Sequence, residues 1–280
     1  MNEKTEEVDE KVLADNYDGI KGREPVITLF DIETTPACGW YFGKGYETNI
    51  IDQERDSYIM SFSHKSLNKK TIRSVAMWDF DDYTPGRFSV NDRNVVFALH
   101  ALMLKSDIVI AQNGDNFDIR MANSRFLYYG LPPIQDLKSV DTLKTAKRYF
   151  NMSFYSLDHL CRYLGIPRKL DPGSHKTWML CMDGDEKAQN KMVVYNKADV
   201  DRLEQVYLRM RGWMKNHPVL NLWTRKITHC PTCMSDTTPR KNGPRLMKTG
   251  WKQRWECIGC GAKWQTELVR EDPKIDITKT

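Results

Sequence analysis

Two cysteine pairs near the end of the chain restrict what it can fold into more than any other feature. Cys230 and Cys233 (HCPTC, 229–233) and Cys257 and Cys260 (ECIGCG, 256–261) form two CxxC knuckles separated by 23 residues. Four thiolates delivered as two close pairs suit the tetrahedral coordination of a structural zinc ion, and the glycine after the second pair helps a tight knuckle form. A segment this short cannot build a large apolar core, so bound metal supplies much of its folding free energy. Two disulfides or an iron–sulfur centre are the alternatives that the spacing leaves open. Cys38, Cys161 and Cys181 are isolated, and the polar, acidic N-terminus carries no export signal, which makes disulfides the poorer reading. His229 adjoins the first knuckle but is not needed once four cysteines are available.

The charge of the chain is concentrated in the same region. After Lys215 there are 12 Lys and Arg against 6 Asp and Glu, whereas the first 215 residues carry a net −1. Between the knuckles, KNGPRLMKTGWKQRW supplies Lys241, Arg245, Lys248, Lys252 and Arg254 with Trp251 and Trp255 close by. Cations in this company can hold phosphates while the aromatics stack on bases; the same residues can equally form one face of a ribbon hairpin that docks a protein. The module resembles a zinc ribbon of the kind found in many nucleic-acid proteins.

Ahead of it there is room for one substantial core. With 40% hydrophobic and 28% charged residues the composition is that of an ordinary globular protein rather than a disordered one. No apolar run approaches the roughly 18–20 residues a membrane helix needs, so the expectation is a cytoplasmic protein without a membrane partner. The run PVITLFDIETTP reads as a buried strand, and YIMSFSH (58–64) and TIRSVAMW (71–78) read as a hairpin turning through KSLNKK. Helices are expected over 92–105, from Asn116 or Phe117 to a stop at Gly130, over 156–165, and from about Glu186 to Met214, with a further strand at 107–113. Early strands followed by helices give an α/β or α+β layered fold.

Asp31 and Glu33 interrupt the first strand, and a period of two puts both carboxylates on one face. A buried carboxylate is costly to keep charged unless a divalent cation supplies the opposite charge; the alternative is a solvated pair just beyond the strand end. Asp118 follows in QNGDNFDIR at a strand-to-helix turn, where Asn113, Asp115 and Asn116 also suit turn and capping roles. Tyr195 and Asp199 in YNKAD are spaced i,i+4 and share one helical face. Asp201 and Glu204 fall on other faces and read as surface or salt-bridge residues.

In that order, FDIETTP, NGDNFD and YNKAD resemble the three motifs of the DEDD-type, DnaQ-like 3′–5′ exonucleases of the ribonuclease-H-like fold, in their tyrosine-containing branch. The resemblance spans about residues 25–215. It implies an α/β ribonuclease-H-like mixed sheet flanked by helices, with Asp31, Glu33, Asp118 and Asp199 as ligands of two magnesium or manganese ions and Tyr195 positioning the attacking water. Two divalent ions held by carboxylates meet the needs of phosphodiester cleavage, an activated water and a stabilised leaving oxygen. A phenol with an ordinary pKa near 10 suits orientation better than neutral-pH base catalysis. The expected division is an acidic tail (1–24), the exonuclease domain (25–215), a linker (216–226), a zinc ribbon (227–270) with one structural zinc, and a C-terminal tail (271–280).

The expected reaction is removal of 5′-mononucleotides from a single-stranded or frayed DNA 3′ end. RNA trimming and a non-catalytic, polymerase-associated adaptor are the rivals. Asn113 and Phe117 sit beside the second motif, where they could contact the terminal nucleotide by hydrogen bonding and stacking, with a core or capping role as the alternative for either; Lys248, Trp251, Lys252, Arg254 and Trp255 are nucleic-acid-contact candidates in the ribbon. Lys176, Trp178 and Lys191 are further groove candidates. No GxxxxGK[ST] phosphate loop occurs and no stretch beyond the nuclease domain is large enough for another complete catalytic domain, so neither a helicase nor a polymerase is expected in this chain, and a polymerase, helicase or recombination partner stays open.

Overall fold

Both faces of the central sheet are covered, as the unbroken burial of Ile59 through Ser63 in one of its strands requires. The computed structural model describes residues 22–41, 50–87, 89–171, 173–224, 226, 228–247 and 250–267. The acidic tail up to residue 21, the C-terminal tail and Lys248 lie outside the described residues. The chain folds as two compact units, with Pro25–Met210 forming one and the described residues from Arg211 onward belonging to the other.

In the first unit, strands β1 (Ile27–Thr34), β4 (Ile59–Ser66), β5 (Arg73–Ala76), β6 (Ile108–Ala111) and β7 (Lys138–Asp141) form a sheet in the order β5-β4-β1-β6-β7. β4 runs antiparallel to β1 and β5, whereas β6 runs parallel to β1 and β7, so the sheet is mixed. The hairpin expected at KSLNKK joins β4 to β5, with Asn68 taking the left-handed conformation (φ 62°) that a tight turn demands. Helices α1 (Arg93–Leu104), α2 (Asp118–Tyr128), α3 (Thr142–Tyr149), α4 (Leu157–Leu164), α5 (Lys176–Met182) and α6 (Glu186–Met210) flank it. α4 starts on Ser156, whose hydroxyl accepts from His159 N, and stops at Gly165 (φ 68°), where a side chain would strain the left-handed cap.

The core joins Phe30, Ile32, Met60 and Phe62 of the sheet to Val95, Val96, Leu99 and Met103 of α1, Phe126 of α2 and Met192 of α6. A buried polar knot fastens one end. Asp92 carries Arg125 in a two-pronged ion pair at 2.7 Å, accepts from Tyr129 Oη at 2.7 Å, and caps Ile59 N at 3.2 Å. β1 continues from Ile27 and Leu29 into Asp31 and Glu33 on the same face, and the residues opposite these carboxylates on β4 are Ser63 and Ser61. Small side chains there leave space for α6, which packs on β1 and β4.

Several elements were not signalled by periodicity. A separate hairpin of β2 (Cys38–Tyr41) and β3 (Ile50–Arg55) follows the first acidic segment, and β7, α3 and α5 lie between the expected elements. The long helix ends at Met210 rather than Met214, continuing as a 3-10 turn over Arg211–Trp213.

The second unit contains a short helix, α7 (Asn221–Thr224), and a three-stranded sheet of β8 (Pro239–Met247), β9 (Gly250–Cys257) and β10 (Lys263–Glu267), with β9 in the centre. Cys230, Cys257 and Ala262 form one buried cluster in it, with Cys233, Cys260 and Trp264 packed around them, and Met214 and Leu220 are buried as well. The turn at Gly212 comes so close to the second knuckle that an added Cβ would lie 2.0 Å from Cys260 O. Among the described residues, no helix is long and apolar enough to cross a membrane.

Candidate active site and metal centre

The three carboxylates Asp31, Glu33 and Asp199 each offer a ligand oxygen, and these oxygens lie within 4.8 Å of one another. β1 supplies the first two from one face, and α6 delivers Asp199, two per cent exposed, from above. Asn196, one turn before Asp199, donates from Nδ2 to Asp31 Oδ2 at 2.6 Å and so fixes the helix against the strand.

Asp118 is the first residue of α2, and its Oδ1 accepts from Ile32 N at 3.1 Å, between the two strand carboxylates. It lies outside the group of three, yet its charge is the largest one acting on Asp31. The turn before it is braced by Asp141, which accepts from Asn113 N (3.1 Å) and Asp115 N (3.3 Å) while capping α3 through Leu143 N and Lys144 N. Asn113 has φ 63° and accepts from Phe117 N at its carbonyl, so it builds the turn; the Phe117 ring is 42% exposed and open to a ligand.

Crowding of these acids shows in their proton affinities. Burial, followed by the charges of Asp118, Glu33 and Asp199, raises Asp31 well above the usual carboxylate range. Burial and the Asp199 charge push Glu33 up to about 7, against Lys169 and a hydrogen bond from Trp178. Burial pushes Asp118 up to about 7 despite the hydrogen bond from Ile32, and raises Asp199 despite Lys169 and Tyr195. Asp199 Oδ1 is buried with no hydrogen-bond partner among the described residues. A cluster of hard oxygen donors that repel one another, one of them orphaned, fits divalent magnesium or manganese.

Lys169 was not singled out in the sequence. Its Nζ stands 2.6 Å from Asp199 Oδ2, lies 5.0 Å above the Tyr195 ring and bonds the phenol. Burial opposes its charge, but Asp199 and Tyr195 outweigh that and hold the ammonium above its ordinary value. Burial pushes Tyr195 up to about 12, and its hydroxyl also bonds Asp199. A hollow of about 530 Å³ opens beside Tyr195 between Asp158, Arg168, Lys169, Leu170 and Asp171. Of the groove candidates, Trp178 reaches Glu33, Lys191 lines a second hollow beside Tyr195, and Lys176 stands exposed at the start of α5. Glu204 pairs with Lys65 at 2.6 Å, and Asp201 accepts from Gln205 at 2.8 Å.

A family model of the RNase_H superfamily, RNase_H_2, matches residues 28–211. The chain belongs to the RNase H superfamily. This superfamily member carries its acidic cluster inside the matched span, and fold and cluster together are consistent with a hydrolase of that superfamily with a candidate metal site. Among solved structures, the family B DNA polymerase from the hyperthermophilic archaeon Pyrobaculum calidifontis is similar with a TM-score of 0.46 at 12% identity, over 81% of this chain. The chain spans 31% of that polymerase's length. No curated protein matches it.

The second cluster of this RNase H superfamily chain is made of sulfur. The Sγ atoms of Cys230, Cys233, Cys257 and Cys260 lie within 4.8 Å of one another, with Cys230–Cys260 at 3.7 Å and Cys233–Cys257 at 3.6 Å. A tetrahedron of sulfurs around zinc at about 2.3 Å has edges of about 3.8 Å, whereas a disulfide brings sulfurs to about 2 Å. Hydrogen bonds from Cys230 and Cys260 push Cys233 down to about 2, and the Cys230 thiol rises far above its ordinary value. Thr238 Oγ1 and Thr232 N reach Cys257 and Cys230 Sγ at 2.9 and 3.5 Å. The set fits a structural zinc ion.

The register of the ribbon sheet divides its cations between two faces, with Lys241 beside Trp255. Successive strand residues face opposite sides, so Trp251 and Trp255 share a face with Trp264 while Lys252 and Arg254 point the other way.

Proposed function

We propose that this protein is a metal-dependent 3′–5′ exonuclease that removes 5′-mononucleotides from a DNA 3′ end, single-stranded or frayed. The observation that carries the reading is the Asp31, Glu33 and Asp199 oxygen cluster with Tyr195 hydrogen-bonded to its third member. Superfamily membership makes hydrolysis of a nucleic acid the natural chemistry for it; the preference for DNA and for the 3′ end rests on the motif resemblance. The exonuclease domain is taken as residues 25–215 and the zinc ribbon as 227–270.

Asp31, Glu33, Asp118 and Asp199 would hold two magnesium or manganese ions. When bound, such ions supply the positive charge that lowers the pKa of a water and stabilises a departing 3′ oxygen. Glu33 and Asp118 ligate only as carboxylates, and the ions' charge reverses the burial that pushes each up to about 7. Tyr195, pushed up to about 12, keeps its proton at neutral pH and therefore orients water or phosphate as a hydrogen-bond donor rather than acting as a base. Lys169 stays protonated and lines the hollow beside Tyr195 with a cation that can hold a phosphate of the incoming strand.

The test is a time course on 3′-labelled and 5′-labelled single-stranded DNA and RNA with Mg²⁺ or Mn²⁺, with Asp31→Asn as control. Early loss of the 3′ label and a descending ladder from the 5′-labelled strand are expected, with DNA preferred. A faster RNA ladder would reassign the substrate. Metal-loaded wild-type protein that cleaves neither polymer would leave an adaptor.

A further inference from the structure

The three-stranded ribbon sheet sorts its side chains by face. Cross-strand partners share a face, so the pairs Lys241↔Trp255, Trp264↔Trp255, Leu246↔Trp251 and Thr266↔Gln253 define one side. The pairs Arg240↔Glu256, Arg245↔Lys252, Gln265↔Arg254 and Lys263↔Glu256 define the other. The first side is internally packed around Trp255, while Trp251 and Leu246 are exposed: Trp255 and Trp264 stack at 6.1 Å and 9°, Trp255 Nε1 donates to Thr266 Oγ1 at 2.9 Å, and Lys241 Nζ lies 5.9 Å from the Trp255 ring. Trp264 packs in turn on the cysteine core.

The second side gathers Arg240, Arg245, Lys252, Arg254 and Lys263. Its Glu256 is engaged by Lys263 at 3.4 Å and by Asn242, and the register puts Glu267 at the far end opposite Lys252. Among the described residues, no ion pair holds Arg240, Arg245, Lys252 or Arg254, and all but Lys252 are exposed. The irregularity between Lys241 and Pro244 opens β8 beside Arg254, whose guanidinium passes 3.7 Å from the position a Cβ on Gly243 would take.

We infer that this basic face binds the sugar–phosphate backbone of a nucleic-acid strand without reading its bases, while the tryptophan face holds the ribbon together. The inference takes from the proposed function only that a nucleic-acid strand reaches this protein. Arginine forks and a lysine that have no ion pair among the described residues complement phosphate oxygens. With the aromatics turned to the opposite side, no base-stacking platform accompanies them.

The experiment is fluorescence anisotropy of labelled single-stranded oligonucleotides with the full-length protein in the Asp31→Asn background, across a salt series. The triple variant Arg245→Ala/Lys252→Ala/Arg254→Ala is compared with Trp251→Ala, and zinc content confirms that each ribbon is folded. Three lost phosphate contacts on a single strand, at roughly 0.7 each, make the slope of log K against log salt shallower by about 2. That corresponds to about 100-fold weaker binding at 0.1 M salt if the curves meet at 1 M. Trp251→Ala should change affinity less than about twofold, and DNA and RNA of different sequence should respond alike.

An unchanged salt slope in a zinc-loaded triple variant overturns the inference. So does a loss with Trp251→Ala as large as with the triple variant, or capture of anionic-lipid vesicles without oligonucleotide binding. Cleavage is read separately with the wild-type protein. Salt-dependent binding through this face without hydrolysis would keep the inference and remove the nuclease reading.

Discussion

The two clusters solve opposite problems. The acidic one sits on a finished scaffold: β1 and α6 bring Asp31, Glu33 and Asp199 together against their mutual repulsion, and a large apolar core elsewhere in the unit sustains that arrangement. The sulfur cluster is itself a packing centre, since Cys230 and Cys257 are two of the three buried residues in the cluster they form with Ala262. Metal at the first site would relieve repulsion in a fold that already exists. At the second it would be a condition of the fold. The proposed hydrolysis would need the former arrangement, because a site that must release products and admit substrates cannot also be what holds the chain together.

The sharpest way to break that contrast is to remove one ligand from each cluster. Cys257→Ser should unfold the ribbon, because structural zinc in such modules contributes on the order of 10 kcal/mol or more. Zinc stoichiometry should fall, and the fluorescence of Trp251, Trp255 and Trp264 should shift to that of solvated indole. The thermal transition of the Pro25–Met210 unit should persist. Asp199→Asn should leave both units folded and reduce hydrolysis by at least about 10³-fold, some 4 kcal/mol in the barrier, measured as nucleotide release under saturating Mg²⁺. A chain that loses its main unfolding transition with Asp199→Asn would place the acidic cluster in the same class as the sulfur one.

Lys169 tests how the acidic site survives without metal. Its ammonium stands 2.6 Å from Asp199 and neutralises part of the cluster. Lys169→Met should therefore destabilise the metal-free protein by about 1–3 kcal/mol, less than a fully buried pair because the side chain is partly exposed. Mg²⁺ should close most of that gap, as thermal unfolding with and without the ion would read. A gap that Mg²⁺ leaves untouched would make Lys169 a packing residue.

What the sequence revealed and what it hid follow the same physical division. Periodicity located β1, β4 and the long helices, because each buries one recognisable stripe or run, and the two CxxC pairs announced their cluster by spacing alone. Asp31 and Glu33 were legible because a strand period fixes their common face. Lys169 was not, since it lies between α4 and α5 and meets Asp199 only through the tertiary fold. Asp141 stayed hidden for a similar reason: it ends a four-residue strand, too short to show a period, yet braces the turn that carries Asp118. The ribbon shows the converse case. Composition alone did not assign its cations and tryptophans to faces, and only the register, with its irregularity between Lys241 and Pro244, puts Lys252 and Arg254 opposite Trp251 and Trp255.

The smallest effect expected is also the one that isolates the cost of holding the acids together. Burial and Asp199 push Glu33 from an ordinary 4.5 up to about 7 in the folded, metal-free chain. A carboxyl whose folded pKa is raised costs no stability below its unfolded value, where both states are protonated. The cost grows as pH rises from about 4.5 and is complete above about 7, where both states are ionised. Glu33→Gln removes it, so the metal-free variant should match the wild type near pH 4 and exceed it by about 1–2 kcal/mol at pH 8. Urea unfolding at the two pH values measures the difference, and Mg²⁺ at pH 8 should reverse its sign by rewarding the carboxylate. A Glu33→Gln protein less stable than the wild type at pH 8 without metal would mean that Trp178 and Lys169 already compensate the charge, and the acidic cluster would then be closer to the self-supporting sulfur cluster than the contrast allows.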